Sequence, residues 1–207
     1  MNMSVARRSA ITLAICVAVA LIVLSIIDRI TREPIKDAHE ERRLEAISAV
    51  LPDGPFDENP IDSHRQHIAS ALGGTEPLGF YTAYQSGQPA AAVLELSTAQ
   101  GYSGEIRMLL GLTYDGSIVA LRVIEHQETP GLGDGIEVRK SSWIDQFESR
   151  SIAVSDTAAW QLSRYGGQFD GLTGATITSR AVVQAVHRAL VWYDANRNKV
   201  FTEGGGS

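Results

Sequence analysis

The sequence predicts an α+β fold, in which an antiparallel sheet with flanking helices is preceded by one N-terminal transmembrane helix. Three observations predict it. Ser9 to Ile27 form an uncharged apolar run, close to the roughly 20 apolar residues that a membrane-spanning helix needs. Four apolar segments separated by turn residues follow between residues 78 and 125, and apolar residues recur at helical spacing from Arg180 onward.

Composition limits the class of protein. The chain has 207 residues, of which 44% are hydrophobic and 20% are charged, enough for one anchored globular domain. A net charge of −6 argues against nucleic acid as a partner, because nucleic acid requires a basic face. Cys16 is the single cysteine of the sequence, which excludes a disulfide framework and a thiolate metal cluster.

The N-terminal run is predicted to be a retained membrane anchor over residues 9–27, preceded by a cytoplasmic N-terminus over residues 1–8. Ala18 to Ala20 resemble a signal cleavage site, but Leu21 to Ile27 continue the apolar run beyond it. Arginines lie on both sides of the run, so the positive-inside rule does not choose an orientation.

Residues 28–60 are predicted to connect the anchor to the domain. Apolar positions from Ile35 to Val50 indicate an amphipathic helix, and Pro52 to Pro60 indicate a loop. Residues 61–203 form the predicted domain, and residues 204–207 resemble an artificial linker. His64 and His67 have the spacing of one helix face but lack a third ligand, so no metal site is expected.

Two hairpins form the predicted sheet. Leu78 to Tyr84 pairs with Ala91 to Leu96, and Ile106 to Thr113 pairs with Ile118 to Glu125 across an Asp-Gly turn. A helix is expected around Trp143 to Phe147, and a strand or short turn near Ile152 to Val154.

Asp170 to Ser179 (DGLTGATITS) lies immediately before the last helical pattern. Its glycines permit a sharp turn close to a ligand, and Thr178 or Ser179 is placed to cap the helix. A helix N-terminus favours an anion such as a phosphate. From the residues alone, a phosphate site and an ordinary glycine turn followed by a helix cap both remain open.

The same segment resembles the D-G-x-[ST]-G-A-T-x-[ST]-S attachment sequence of the FMN-binding domain family. Gly101 to Ile106 and Glu125 to Gly133 are similar to the family's G-Y-x-G-x-I and H-x-E-T-P-G-L-G segments, in the same order. With its N-terminal span, the whole chain resembles the G subunits of Rnf-type (Rsx) ion-translocating electron transport complexes. These are related to the C subunit of the sodium-translocating NADH:quinone reductase. Thr173, where the family often has Ser, keeps the hydroxyl.

The resemblance implies that FMN is bound covalently through its phosphate to Thr176. Further cofactor contacts are expected from both loops, at Thr173, Gly174, Ala175, Ile177, Thr178, Glu128, Thr129 and Leu132, with a weaker set at Gly101, Tyr102 and Gly104. It also implies a flavin transferase for maturation, and membrane lipid and the other membrane subunits as partners. The FMN domain is then expected on the periplasmic side of a bacterial inner membrane.

The implied role is that of an electron relay in a complex that couples electron flow between ferredoxin and NAD to sodium or proton translocation. The chain is then a subunit of an oxidoreductase rather than a complete enzyme, and its sequence contains no G-x-G-x-x-G motif after a strand. Two alternatives remain. One is a membrane-anchored module that binds a phosphate-containing ligand noncovalently, and the other is a free-standing extracytoplasmic flavin reductase.

Overall fold

The computed structural model describes residues 10–26, 44–67, 72, 78–152 and 157–204. The chain divides into two compact units, Met1–Arg43 and Leu44–Ser207. In the first, residues 10–26 form a helix, α1. Within the described ranges, no helix combines the length and the apolar character needed to cross a membrane. The predicted cytoplasmic N-terminus, both ends of the predicted span and the connector as far as residue 43 lie outside the described residues.

The second unit is built on an antiparallel sheet, which confirms the predicted fold class for this part of the chain. In the described residues the sheet has five strands in the order β1-β2-β3-β4-β5. They are β1 (Arg65–His67), β2 (Leu78–Gln85), β3 (Gln88–Thr98), β4 (Ile106–Thr113) and β5 (Ile118–Glu125). The four predicted strands are therefore present.

Strand β1 was not predicted from the sequence. The helix-face spacing of His64 and His67 is not realised, because a 3-10 helix over Pro60–Ser63 ends at His64 and the next residues are extended. Arg65 pairs with Phe80, and His67 pairs with Leu78. The neighbouring strand β2 stabilises an extended conformation that a short polar segment does not signal by itself.

Both hairpins turn at short polar connections. Ser86 and Gly87 join β2 to β3 with φ values of 54° and 73°, the left-handed conformation that two-residue hairpin turns require. The Asp57 carboxylate accepts hydrogen bonds from both backbone N–H groups, at 2.8 and 2.7 Å. Between β4 and β5, Gly116 has φ 92°, and the predicted Asp-Gly turn is confirmed.

The sheet is buried on both faces. Residues alternate in direction along a strand, so Leu94 lies in the main core while Val93 lies in a second, smaller core. Helix α2 (Thr176–Gly204) contributes Val182, Val186 and other apolar residues to the main core. The smaller core is completed by residues of the 44–51 segment, including Ile47 and Val50.

The structure differs in detail from the remaining predicted elements. The helix expected around Trp143 to Phe147 is a 3-10 helix over Ser142–Phe147, with the Ser141 hydroxyl as its N-cap. Ile152 lies in a turn, whereas residues 153–156 lie outside the described part of the chain, as do residues 205–207. Helix α2 begins at Thr176, four residues before the predicted helical repeat.

Candidate functional site

A cleft lies where three connections of the second unit meet. These are residues 99–105 between β3 and β4, residues 126–136 after β5, and residues 170–175 before α2. The pairing of Arg107 with both Ser97 and Glu125 places the first two at one end of the sheet. The cleft has a volume of about 380 Å³, within the range of small-molecule sites. It is lined by Tyr102, Glu128, Thr129, Leu132, Gly133, Gly174, Ala175, Thr176, Ile177 and Thr178.

The loop before α2 places Thr176 in the cleft. Gly174 has φ 79°, a conformation that residues with a Cβ rarely adopt. The Ala175 N–H donates to the Leu172 carbonyl at 3.0 Å and closes the turn. Ser179 then fastens the turn to the helix, because its hydroxyl accepts from the Leu172 N–H at 2.9 Å and donates to the Ala175 carbonyl at 3.0 Å.

The predicted N-cap is therefore wrong. Thr178 and Ser179 lie within the first turn of α2, because the helix begins at Thr176. Ser179 bonds back to residue 175 instead of capping, a local side-chain bond that serine readily makes inside a helix.

Three threonines lie in this region, and the surroundings of their hydroxyls differ. Thr178 has 0% exposure, and its hydroxyl donates to Glu128 Oε2 at 2.6 Å. Thr173 is exposed but does not line the cleft. Thr176 is half-buried and lines the cleft. Of the three, Thr176 thus combines a place in the cleft with a hydroxyl that is not enclosed by protein.

Glu128 joins two of the connections to the start of α2. It is 5% exposed, and its carboxylate accepts from the Ser103 N–H at 3.1 Å and from the Thr178 hydroxyl at 2.6 Å. Two glycines make room for it, since a Cβ at Gly101 would lie 2.6 Å from Oε1 and a Cβ at Gly133 would lie 2.7 Å from Oε2. The carboxylate therefore connects the 99–105 loop to the start of α2.

The segment after Glu128 forms a tight turn. The Thr129 carbonyl accepts from the N–H groups of Leu132 and Gly133 at 3.2 and 3.1 Å. Gly131 has φ 78°, and its N–H donates to the Asp134 carboxylate at 2.7 Å. The turn brings Leu132 so close to the Thr176 loop that a Cβ at Gly174 would lie 2.9 Å from Leu132 Cδ2.

Three apolar side chains form the walls of the cleft. Tyr102 is 69% exposed, Leu132 is 49% exposed and Ile177 is 43% exposed. Tyr102 and Leu132 come from two of the connections, and Ile177 comes from the first turn of α2. Exposed apolar groups gathered around one concave surface are typical of a binding site. Tyr102 belonged to the weaker set of sequence candidates, although it is the most exposed of the three.

Sequence reasoning missed Arg164. It lies in a 3-10 helix over Ser163–Tyr165, and its guanidinium donates to Thr176 Oγ1 at 3.1 Å. Arg180, the first residue of the predicted helical repeat, lines a separate cleft of about 350 Å³ together with Trp160 and His187. No signal in the sequence connects Arg164 with Thr176, because twelve positions of irregular chain separate them.

Comparison with known proteins identifies the class of protein. Residues 101–191 match the FMN-binding domain family, and this region contains all three cleft-forming connections apart from residues 99 and 100. The fold and the cleft thus belong to a protein with an FMN-binding domain.

Similarity extends over nearly the whole chain to proteins that are named as the G subunit of an ion-translocating oxidoreductase complex. The protein of that name from Pseudomonas aeruginosa (strain UCBPP-PA14) is 40% identical over 194 residues, which cover 93% of this chain and 91% of the relative. The Photorhabdus laumondii protein is 38% identical over 186 residues, covering 90% and 89%. The Vibrio cholerae serotype O1 protein is 34% identical over 200 residues, covering 95% and 94%.

The chain belongs to the family of G subunits of Rnf-type ion-translocating oxidoreductase complexes. The family resemblance predicted from the motifs is confirmed. So is the prediction of a subunit of an oxidoreductase complex, since the relatives carry that description.

Proposed function

We propose that this protein is a membrane-anchored flavoprotein subunit that relays electrons through FMN attached by its phosphate to the Thr176 hydroxyl. The observation that carries the proposal is the position of Thr176 at the N-terminal end of α2, where it lines a cleft with apolar walls. Thr178 is enclosed by protein and Thr173 lies away from the cleft lining. This distribution supports Thr176 as the attachment residue.

The residues present fit an FMN group. Tyr102, Leu132 and Ile177 offer apolar surface to an isoalloxazine ring. The free N–H groups and the positive dipole end of α2 favour the phosphate. FMN supplies one- and two-electron redox chemistry when bound. The chain's own part is to hold the phosphate, cover the ring and keep Thr176 in place.

Attachment requires a separate flavin transferase and a flavin adenine dinucleotide as donor. Thr176 Oγ forms a bond to the flavin-side phosphorus, and the pyrophosphate P–O bond breaks. Adenosine monophosphate leaves with the bridging oxygen, and the hydroxyl proton passes to a base of the transferase. The resulting phosphodiester carries about one negative charge, less than the roughly −1.5 to −2 of a phosphate monoester.

The setting of this reaction belongs to the same proposal. The relatives are named as subunits of an ion-translocating oxidoreductase complex, and the uncharged run from Ser9 to Ile27 has the composition of a membrane anchor. We propose that the FMN domain lies on the periplasmic side of a bacterial inner membrane, together with the other membrane subunits. There it takes part in electron transfer between ferredoxin and NAD that is coupled to sodium or proton movement.

Denaturing electrophoresis under ultraviolet light tests the attachment. The full chain, produced together with a flavin transferase, should give a fluorescent band that Thr176→Ala abolishes. Thr173→Ala is the matched control, because it removes a neighbouring hydroxyl outside the cleft lining, and it should retain the band. Peptide mass spectrometry should place the FMN mass on Thr176.

Other outcomes identify the rival functions. A flavin or other phosphate ligand that is present in the native protein but lost on denaturation would indicate noncovalent binding. Purification of a flavin-loaded protein that reduces an added acceptor without companion membrane subunits would indicate a free-standing reductase. A band that survives Thr176→Ala would contradict the proposed attachment.

A further inference from the structure

The guanidinium of Arg164 is the cationic group that contacts the attachment hydroxyl. Its nitrogen donates to Thr176 Oγ1 at 3.1 Å, and the guanidinium also lies over the ring of Tyr165, 5.3 Å from its centroid. A guanidinium has five N–H donors in a planar arrangement. One donor to Thr176 therefore leaves others for a phosphate oxygen at the same place.

The backbone around Arg164 is closely constrained. Leu162 and Phe169 form a β-bridge, and the Ser163 N–H donates to the Phe169 carbonyl at 2.7 Å. The turn closes through Gly166, which has φ 87°, and through Gly167, where a Cβ would lie 1.9 Å from the Gln161 carbonyl oxygen. Arg164 thus projects from a compact turn of fixed shape.

This turn is also fastened to the loop that carries Thr176. The Ser163 hydroxyl donates to the Asp170 carboxylate at 3.3 Å. The Asp170 carbonyl accepts from Trp143 Nε1 at 2.6 Å, and the Asp170 N–H donates to Gln146 Oε1 at 2.7 Å. The Ser163–Asp170 bond therefore joins the turn to a residue that Trp143 and Gln146 hold in place. This link fixes the backbone of Arg164 relative to the loop before α2.

The negative charge around the cleft favours a cation beside the phosphate. The protein has a net charge of −6, and the buried carboxylate of Glu128 lies on the lining of the same cleft. A phosphodiester on Thr176 adds one further negative charge. The partial charge of a helix N-terminus offsets about half of one charge, whereas a guanidinium carries a full charge and binds phosphate by paired hydrogen bonds.

We infer that Arg164 is the residue that positions the phosphate at Thr176. It orients the Thr176 hydroxyl before attachment and holds the phosphodiester afterwards. This inference rests on the proposed attachment of FMN to Thr176 and adds to it a residue that the family motif does not contain. Arg180, which lines the neighbouring cleft, does not share the role.

The test compares FMN incorporation into the full chain by a flavin transferase supplied with flavin adenine dinucleotide. Arg164→Gln keeps a hydrogen-bond donor but removes the charge, and should slow incorporation on the order of tenfold. Arg164→Lys keeps the charge without the paired donors and should give an intermediate rate. Arg180→Gln is the matched control, which should incorporate FMN at the wild-type rate.

Phosphorus-31 NMR of the loaded proteins separates a phosphate contact from recognition of Arg164 by the transferase. The phosphodiester resonance should shift in Arg164→Gln and remain in place in Arg180→Gln. Wild-type incorporation by Arg164→Gln together with an unchanged resonance would overturn the inference. Loss of the fluorescent band in Thr176→Ala would still support attachment of FMN to Thr176, even if the role of Arg164 is overturned. A band retained by Thr176→Ala would overturn both the attachment and the role of Arg164.

Discussion

At the scale of single residues, Glu128 shows how the structure changes the interpretation of a motif. The family resemblance implied a contact between Glu128 and the cofactor. Both carboxylate oxygens instead accept hydrogen bonds from protein groups, Ser103 and Thr178. Because the side chain is buried, its main effect is to fix the shape of the cleft, and a direct contact with the cofactor stays a prediction.

Replacing Glu128 by Ala should lower the free energy of unfolding by about 3 kcal/mol, because it leaves a buried hydroxyl and a backbone N–H without an acceptor. Chemical denaturation of the full chain in detergent measures this change. Glu148→Ala is the control, since Glu148 is exposed, and it should change stability by less than about 0.5 kcal/mol. Equal stability of the two variants would show that Glu128 does not hold the connections together.

Residue types also explain why part of the site was predictable. Gly174 is required by its positive φ, and Gly101 is required by the close approach of Glu128. Such constraints leave short motifs in the sequence. Arg164 leaves none, because its contact with Thr176 depends on how the 161–169 turn packs beside α2.

At the scale of elements, the 44–51 segment shows the largest difference from the sequence interpretation. It was assigned to a connector between membrane and domain, but Ile47 and Val50 are almost completely buried in the smaller core of the sheet. Gly111 of β4 allows this approach, since a Cβ there would lie 1.7 Å from the Val50 carbonyl oxygen. The compact unit accordingly begins at Leu44.

Gly111→Ala should lower the free energy of unfolding by about 2 kcal/mol, because the methyl group displaces the 44–51 segment from the sheet. Thermal or urea unfolding gives the value. Gly54→Ala is the matched control, since its Cβ would meet no atom closer than Gln85 Nε2 at 3.8 Å. The better strand propensity of alanine would by itself favour a more stable Gly111→Ala variant. An observed gain in stability would therefore contradict the proposed packing.

The strands were predicted well because their signals are local. Each of the four strands between Leu78 and Glu125 combines β-branched or large apolar residues with a polar turn at its end. β1 and the 3-10 helices have no such pattern. They are stabilised by pairing and packing with distant residues, as Arg65 is by Phe80.

At the scale of the whole molecule, the residues before Leu44 form a unit separate from the domain. Among the residues that the structure describes, those of both apolar cores lie from Ala46 onward. Folding of the domain therefore depends on this second unit, whereas we assign membrane attachment to the first.

A chain that begins at Leu44 should unfold at the same denaturant midpoint as the full protein, and it should no longer sediment with membranes. A chain that begins at Pro52 should unfold at a lower midpoint, because it lacks Ile47 and Val50 and exposes the face of the sheet that carries the smaller core. Urea titration followed by circular dichroism and sedimentation with membrane vesicles are the two measurements. Membrane retention of the Leu44 chain would contradict the assigned anchor.

The sequence by itself determined the antiparallel sheet with its four long strands and the family, and the resemblance to that family named Thr176 as the candidate attachment residue. These depend on apolar periodicity, on turn residues and on three short motifs, each of which is contiguous in the chain. Only the tertiary structure decided that Thr178 is enclosed by protein whereas Thr176 is not, that Glu128 bonds to Ser103 and Thr178, and that Arg164 contacts Thr176. Those contacts join residues 12 to 50 positions apart, and their free energy depends on burial and on distance in space, which neighbouring residues in the sequence do not encode.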